Sequence, residues 1–391
     1  RRDAARVYVA LDYGHSGGGH GHPDRLNLLL SDADTRWLDD VGTGSYVDPS
    51  LHWYRSTLAH DAPLVNGRSQ RRVNGTLAAY DERGGAGWIS ARVHEIAAGA
   101  ALARSVVVMP DYVVDRVVWE IGGGSFVDLP LHVDGELRGA HWTTATPEGG
   151  VDPADGFAWL SAPERALLPD ATLRLDAVHG NQSAALWIMG SAPIECWRAT
   201  APGAPGQPHE RFYFLRVRAE RGVLTTVWSL RGSVSDASSG EGQLTVSLAD
   251  GTRHEHTQSD SGWRIDLRAG AARSSIDLGG VRPQPPVHAA TTAQNHAQPR
   301  HVVPRVHSSG TTGETHAPLM FDLDAADYRR SELPWEAAGA PRARVRLVVV
   351  EQTLAVSVSV EKRDPWFAPG REMNDLDNEH PDINSDGVAH Y

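Results

Sequence analysis

The first part of the chain, up to about residue 235, alternates short apolar runs with polar turn residues. The runs are rich in strand-forming Val, Leu, Trp, Tyr and Thr, and turn-forming Gly, Pro, Asp and Asn stand between them. Almost no segment keeps the ~3.6-residue apolar period of an amphipathic helix for several turns. The pattern predicts an all-β fold, specifically an antiparallel β-sandwich. The clearest predicted strands are residues 5–11, 26–30, 88–93, 102–108, 112–120, 171–178, 184–189, 211–218 and 223–230.

The rest of the chain continues this pattern with one interruption. Four further strands could complete the first sandwich, which is predicted to span residues 1–280. Residues 281–316 consist mainly of Pro, Gln, His, Thr and Ser, and such a segment buries too little apolar surface to offset the entropy of ordering it. They are predicted to be a linker, and residues 317–391 a truncated second β-sandwich. The predicted strands of this part are residues 242–248, 253–257, 263–267, 274–278, 319–323 and 344–361.

The overall charge argues against one class of function. The 391 residues are 40% hydrophobic, which allows a sizeable core, and carry a formal net charge of −12. Because a nucleic-acid binder would need a basic face, no nucleic-acid partner is expected. No apolar run approaches the ~20 residues of a membrane helix, so no membrane segment is expected. An acidic substrate would require a local positive site built from a metal, histidines or arginines such as Arg55.

The start of the chain and its cysteine content leave the cellular compartment open. Cys196 is the only cysteine, so no intrachain disulfide can form. The chain begins Arg-Arg-Asp, without a methionine or an apolar leader, and enters a predicted strand almost at once. We therefore expect a fragment whose natural N-terminus, with any targeting signal, lies upstream. Secreted, periplasmic and cytoplasmic locations are all compatible with the sequence.

Residues 14–70 concentrate the polar chemistry of the chain. His22, Asp40 and His60 each stand at the end of a predicted strand or between two strands. Two imidazoles and a carboxylate suit Zn²⁺, which takes nitrogen and oxygen ligands at ~2.0–2.2 Å. The spacing matches no short-range metal motif, so surface or turn histidines stay the alternative. The neighbouring glycine-rich sequences GGGHGH and GTG fit loops that present functional side chains, although plain tight turns would look the same.

Three motifs in this stretch occur in a recognisable order. They read GGHGHPDRLNLLL, WLDDVGTGSY and HWYRSTLAHDAPLVNGRSQ, and they resemble the heparinase II/III-like polysaccharide lyases, including alginate, oligoalginate and heparin lyase relatives. The resemblance continues more weakly through FVDLPLHVDGEL, to about residue 280. It implies an antiparallel, supersandwich-like β-domain that follows an N-terminal α/α toroid, with the active site between the two. The toroid is absent from this sequence and is the expected partner that supplies the rest of the site.

The resemblance also implies a metal site. The family's ligands correspond here to His22, Asp40 and His60, and the metal is expected to be a structural zinc that holds the loops in place. Asp39 is the competing choice for the carboxylate. Asp61 stands where the family usually has asparagine, which leaves the surroundings of the metal open.

The reaction implied is β-elimination on a uronic acid within an acidic polysaccharide or oligosaccharide. One group neutralises the C6 carboxylate, a base removes the C5 proton, and an acid protonates the departing O4. Tyrosine suits the last two roles because neighbouring positive charge can lower the pKa of its phenol. Tyr46 and His20 are the expected catalytic residues, with Arg55 and His132 as expected substrate-binding residues. A core role for Tyr46 and a hydrogen-bonded structural role for His132 stay open.

The end of the chain is strongly acidic. It resembles the opening half of a family 9-like carbohydrate-binding sandwich, and its carboxylates could bind Ca²⁺, although a solvated acidic turn is favoured because the EF-hand spacing is absent. The acidic residues are Asp375, Asp377, Glu379, Asp382 and Asp386. Taken together, the sequence favours the β-domain of a polysaccharide lyase. The alternative function is a non-catalytic carbohydrate-binding or structural β-sandwich.

Overall fold

The structure, a computed structural model, divides the chain into two compact units. The first is Arg1–Gln284 and the second is Pro285–Tyr391. The sequence placed the end of the first domain at residue 280. The structure describes residues 7–15, 21–32, 35–44, 48–122, 126–168, 172–240, 242–259 and 262–280 of the first unit, and 305–306, 318–326, 335–336, 339–350 and 353–361 of the second.

Among its described residues, the first unit consists of strands joined by turns, with one short α-helix. Helix α1 spans Leu51–Tyr54, and short 3-10 helices span Thr57–Ala59, Pro153–Asp155 and Phe157–Trp159. The strands are β1 (Val7–Leu11), β2 (Leu28–Asp32), β3 (Thr35–Leu38), β4 (Leu64–Val65), β5 (Gly75–Arg83), β6 (Ala86–His94), β7 (Ala101–Val108), β8 (Tyr112–Glu120), β9 (Val127–Leu131), β10 (Glu136–Arg138), β11 (Thr143–Thr144), β12 (Ser161–Leu168), β13 (Thr172–His179), β14 (Gln182–Gly190), β15 (Ile194–Ala201), β16 (Glu210–Val217), β17 (Arg221–Ser229), β18 (Val234–Gly240), β19 (Gln243–Leu248), β20 (Arg253–Ser259), β21 (Gly262–Ala269) and β22 (Ala272–Leu278).

These strands form four sheets. A small sheet has the order β1-β2-β3, and a central eight-stranded sheet has the order β10-β13-β14-β17-β8-β7-β6-β5. A six-stranded sheet has the order β11-β12-β15-β16-β9-β4, and a five-stranded sheet runs in sequence order from β18 to β22. Every described strand pairing in this unit is antiparallel. The prediction of an all-β, antiparallel sandwich is confirmed.

The central eight-stranded sheet is buried on both faces. On one face, Val106 and Val117 belong to a core shared with the six-stranded sheet. On the other face, Val107 and Val114 belong to a second core shared with the five-stranded sheet. Because successive side chains of a strand point to opposite faces, both sets must be apolar, which gives β7 and β8 the nearly continuous apolar sequences ALARSVVV and YVVDRVVWE. The five-stranded sheet is thus a separate layer and does not extend the other two sheets.

A third core covers the outer face of the six-stranded sheet. Phe212 and Phe214 of β16 lie on that face, and Trp53 and Leu58 pack over them. Trp53 meets Phe212 edge to face with ring centroids 5.7 Å apart, a geometry that aromatic pairs favour. This packing fixes α1 and the 3-10 helix that follows it against the sheet. The segment that carries His60 is therefore anchored on the sandwich.

The second unit is described by four strands. They are β23 (Arg305–Val306), β24 (Leu319–Leu323), β25 (Arg342–Val350) and β26 (Thr353–Glu361). Strand β25 pairs antiparallel with β24 and β26 and parallel with β23. The segment 344–361, predicted as a single strand, is instead an antiparallel pair in which Val350 stands opposite Thr353. Apolar residues recur through both strands, so their pattern alone does not mark where the chain reverses.

Other predictions for this end of the chain fall outside the described residues. The predicted linker 281–316 is described only at β23, and the acidic segment with its predicted calcium ligands is not described. No helix among the described residues is long and apolar enough to cross a membrane.

Candidate metal centre

Two segments of the first unit meet, the loop between β1 and β2 and the segment after α1. Gln70 joins them, because its Nε2 donates to the carbonyl oxygen of Arg25 and its Oε1 accepts from the N–H of Arg25, each at 2.9 Å. The hydroxyl of Thr57 donates to the carbonyl of Pro23. Buried hydrogen bonds of this kind have little competition from water. They fix residues 22–26, the HPDRL loop, against the segment that carries His60.

His22 and His60 face each other across these two segments. His22 Nδ1 lies 3.1 Å from His60 Nε2. Asp24 adds a carboxylate oxygen, and the three ligand atoms all lie within 4.8 Å of one another. Two nitrogen ligands of a tetrahedral zinc ion stand ~3.3 Å apart, close to the observed separation, and two imidazoles with a carboxylate are a donor set that zinc takes. The residues present therefore fit a zinc ion.

Asp40 lies beside the other nitrogen of the His60 ring. Its Oδ2 is 2.9 Å from His60 Nδ1 and accepts from Asn27 Nδ2 at 2.8 Å, while its Oδ1 accepts from the Gly42 N–H at 2.7 Å. A proton kept on Nδ1 by this carboxylate would let Nε2, which lies 3.1 Å from the Tyr54 carbonyl oxygen, face a metal, an arrangement common among metal-binding histidines. The sequence named Asp40 as the carboxylate ligand. The structure gives it contacts that orient His60 and groups Asp24 with the two imidazoles.

Burial and the neighbouring groups shift the pKa values of the two imidazoles in opposite directions. Burial, followed by the neighbouring His60, lowers the pKa of His22 to about 4. His22 is thus neutral at neutral pH, as a metal-binding nitrogen must be. Burial also opposes the charged form of His60, but the hydrogen bond and charge of Asp40, with smaller contributions from Asp24 and the Tyr54 carbonyl, together outweigh it and raise the pKa of His60. Burial likewise opposes the Asp40 carboxylate, yet the hydrogen bond and charge of His60, together with the Gly42 N–H and the charge of His132, keep the pKa of Asp40 below its ordinary value.

Asp24 and Asp39 each form an ion pair with an arginine. Asp24 Oδ1 lies 2.5 Å from the Arg25 guanidinium, which also lies 2.9 Å from Asp12 Oδ2. The buried Arg25 thus contacts one oxygen of Asp24, while its NH1 and NH2 groups contact the two oxygens of Asp12. Asp39, the competing choice from the sequence, forms an ion pair with Arg36 at 2.8 Å.

The residues predicted for catalysis and substrate binding have different surroundings. His20 and Tyr46 lie outside the described residues. Arg55 is half-buried just after α1, and its charge lies near enough to contribute to the lowered pKa of His22. The structure therefore places the charge of Arg55 near His22.

His132 is enclosed in the third core and is 4% exposed. Its ring centroid lies 4.9 Å from that of Phe212, and its Nε2 donates to the Leu58 carbonyl at 3.0 Å. The His132 ring is thus buried and hydrogen-bonded, an arrangement that fits the structural role left open by the sequence. Its main-chain N–H donates to Asp61 Oδ1 at 2.6 Å, and burial raises the pKa of Asp61 to about 7.

Asp24 is the carboxylate that the structure groups with the two imidazoles and that sequence reasoning did not name. It stands two positions after His22 in the HPD sequence, within a loop already predicted to carry a ligand. A carboxylate so close to a predicted histidine ligand was the available signal. The choice of Asp40 rested on its position between predicted strands and on the family resemblance.

A comparison with protein families identifies the matched part of the first unit. A sequence model described as heparinase II/III-like, C-terminal, matches residues 1–177. These residues are therefore similar to a heparinase II/III-like C-terminal domain. The matched region contains His22, Asp24 and His60 and ends within β13. The heparinase II/III-like match is shorter than the resemblance read from the sequence, which extended to about residue 280.

Several solved structures are similar to the chain. A heparinase III matches with a TM-score of 0.48 and 11% identity, over 71% of this chain and 39% of that chain. A mutant heparan sulfate lyase from Pedobacter heparinus matches with a TM-score of 0.48 and 9% identity, over 70% of this chain and 39% of that chain. The chain thus spans less than half the length of these two proteins. A comparison with curated proteins gives no match.

Proposed function

We propose that this heparinase II/III-like chain is the β-sandwich part of a polysaccharide lyase that cleaves uronic-acid-containing glycans by β-elimination. The observation that carries the proposal is the family match over the segments that bring His22 and His60 within 3.1 Å of each other. An acidic glycan on a chain of net charge −12 requires a local positive site. A metal ion with Arg55 beside it would supply that charge.

The proposal includes a zinc ion held by His22, Asp24 and His60. Asp40 would keep His60 in the orientation that presents Nε2 to the metal. The bound ion would tie the HPDRL loop to the segment after α1, so its role is to hold loops and not to activate a nucleophile. The fit of the donor set and the separation of the two nitrogens support this assignment.

The proposed reaction assigns proton transfers to residues of these loops. The C5 proton leaves to a base, a C4–C5 double bond forms, and the C4–O4 bond breaks as O4 takes a proton. Tyr46 carries these transfers in the proposal, because a phenol beside positive charge can act as base or acid. His20, two positions before His22, contacts the substrate, and Arg55 neutralises the uronate carboxylate. An α/α toroid partner supplies the opposite side of the cleft.

The test uses the full protein that contains this chain. Incubation with alginate, heparin, heparan sulfate and other uronate polymers should raise the ultraviolet absorbance that marks an unsaturated product. Tyr46→Phe should lower kcat by about 10²- to 10⁴-fold, the usual contribution of general acid–base catalysis. Tyr80→Phe, which changes an exposed tyrosine of β5, is the matched control and should leave kcat unchanged.

Two results would overturn parts of this proposal. If the wild-type protein binds a polymer and forms no unsaturated product, a non-catalytic carbohydrate-binding module becomes the better description. If Tyr46→Phe turns over at the rate of Tyr80→Phe, Tyr46 has no part in the proton transfers.

A further inference from the structure

A fully buried arginine lies directly behind the candidate metal centre. Arg104 is 0% exposed, and its Nε and NH2 groups donate to the two carboxylate oxygens of Asp115 at 2.8 and 2.7 Å. Its remaining nitrogen, NH1, donates to the carbonyl of Leu26 at 2.7 Å and to the carbonyl of Asp61. One guanidinium therefore connects the central sheet to both segments that carry the proposed ligands.

The two carbonyls belong to the chain segments that carry the proposed ligands. Leu26 follows Asp24 by two positions, and Asp61 directly follows His60. The guanidinium is planar and rigid, so the two carbonyls that share NH1 are held at a fixed separation. Fixing the carbonyls restricts where the ligand side chains can lie.

Leu26 has a backbone conformation that leucine rarely adopts. Its φ is 68°, in the left-handed region that side chains other than glycine rarely adopt, and the residue is fully buried. Such a conformation persists only where the surroundings over-determine it. Here the N–H of Leu26 donates to the Asp12 carbonyl at 2.6 Å, and its carbonyl accepts from Arg104. Without Arg104, one of the two main-chain contacts that hold this conformation is lost.

A buried ion pair carries a large desolvation cost. Apolar residues of similar volume are often as stable, because the pair must be desolvated. Arg104 and Asp115 lie on the face of β7 and β8 that otherwise holds Leu102, Val106 and Val117. The contacts of Arg104 with the Leu26 and Asp61 carbonyls explain the pair better than the stability of the sheet does.

We infer that Arg104, oriented by Asp115, is a positioning residue that sets the distance between the two metal-binding segments. The inference rests on the proposed metal site. Arg104 touches neither metal nor substrate and acts through the Leu26 and Asp61 carbonyls. Its loss should weaken metal binding even where the sandwich remains folded.

The chain offers a matched control in a second buried pair. Arg216 and Asp128 are both 0% exposed, and Arg216 donates from Nε and NH2 to Asp128 at 2.6 and 2.9 Å. Arg216 also donates to a main-chain carbonyl, that of Glu148, at 2.6 Å. None of these contacts involves the HPDRL loop or the segment that carries His60. Removal of this pair changes core electrostatics to a similar degree without releasing the proposed ligands.

The experiment compares zinc affinity in two double variants, Arg104→Met/Asp115→Leu and Arg216→Met/Asp128→Leu. Each replaces an ion pair with apolar side chains and leaves no orphaned charge. Competition with a chromophoric chelator should give a zinc Kd about 10- to 100-fold weaker for the first, the usual effect of losing an outer partner, and unchanged for the second. Equal Kd values for the two folded variants would overturn the inference.

A single variant keeps the test decisive if the first double variant does not fold. Arg104→Lys retains the charge beside Asp115 but lacks the planar fork that reaches both carbonyls. It should also bind zinc more weakly than the wild-type protein. A wild-type Kd for Arg104→Lys would overturn the inference.

Hydrogen exchange of the zinc-free protein separates this inference from the proposed metal site. Loss of protection at the amides of Leu26 and His60 is expected in the Arg104 variants and not in the Arg216 variant. If the wild-type protein binds no zinc, the metal site fails, and the exchange result alone decides whether Arg104 holds the two segments. Unchanged protection at both amides would overturn that role.

Discussion

Replacing His60 with alanine is expected to remove the zinc ion from the protein. His60 is 1% exposed, and its Nε2 is one of the two nitrogens that face the proposed metal position. The change also leaves Asp40 without the ring nitrogen that lies 2.9 Å away. Loss of an outer partner alone typically weakens metal binding by about 10- to 100-fold, and loss of a direct ligand should exceed this range.

Zinc content after dialysis, measured by mass spectrometry, tests this expectation. The wild-type protein should retain one zinc per chain, and His60→Ala almost none. His179→Ala is the matched control, because it changes a half-exposed histidine paired with Asp134 and should retain zinc. A full equivalent of zinc in folded His60→Ala would contradict the ligand assignment.

Replacing Asp115 with alanine is expected to lower the free energy of unfolding by about 3–5 kcal/mol. Asp115 is 1% exposed and its partner Arg104 is 0% exposed. The substitution leaves the guanidinium charge buried without its carboxylate. The desolvation cost of that charge is then no longer offset by the ion pair. This loss is a large fraction of the total free energy of unfolding of a typical domain.

Urea unfolding followed by tryptophan fluorescence measures the loss. The matched control is Glu120→Ala, which removes the partner of Arg221 in an ion pair whose side chains are 63% and 78% exposed. Exposed pairs contribute little, so this variant should unfold close to the wild-type midpoint. The expectation fails if Asp115→Ala unfolds at the same urea concentration as Glu120→Ala.

The strands of the sandwich could be predicted because burial on a sheet leaves a strong local pattern. Residues 112–120, for example, were predicted as a strand and form β8. The layering could not be predicted in the same way. Strand β17 lies between β8 and β14, and β9 pairs with β16, so the sheets depend on contacts between distant residues. A strand that is apolar at both odd and even positions shows that both of its faces are covered. It does not show which sheet covers each face.

Only part of the candidate site could be predicted, because its geometry also depends on contacts between distant residues. The motifs identified His22 and His60, and the structure brings their ring nitrogens to 3.1 Å. Motif spacing does not reveal which ring nitrogen a carboxylate will meet, so the different positions of Asp24 and Asp40 required the structure. Arg104 was read as part of an apolar strand. Arg104 within ALARSVVV and Asp115 within YVVDRVVWE, opposite charges in two adjacent and largely apolar strands, were the signal for a buried pair.

Anomalous X-ray scattering from crystals of the zinc-loaded protein tests the proposed site most directly. Data from both sides of the zinc absorption edge should show a peak ~2.0–2.2 Å from His22 Nδ1, His60 Nε2 and a carboxylate oxygen of Asp24. Asp40 should remain beside His60 Nδ1. A peak bonded to Asp40 in place of Asp24 would contradict this ligand set. The lack of any peak between the two imidazoles would contradict the metal site itself.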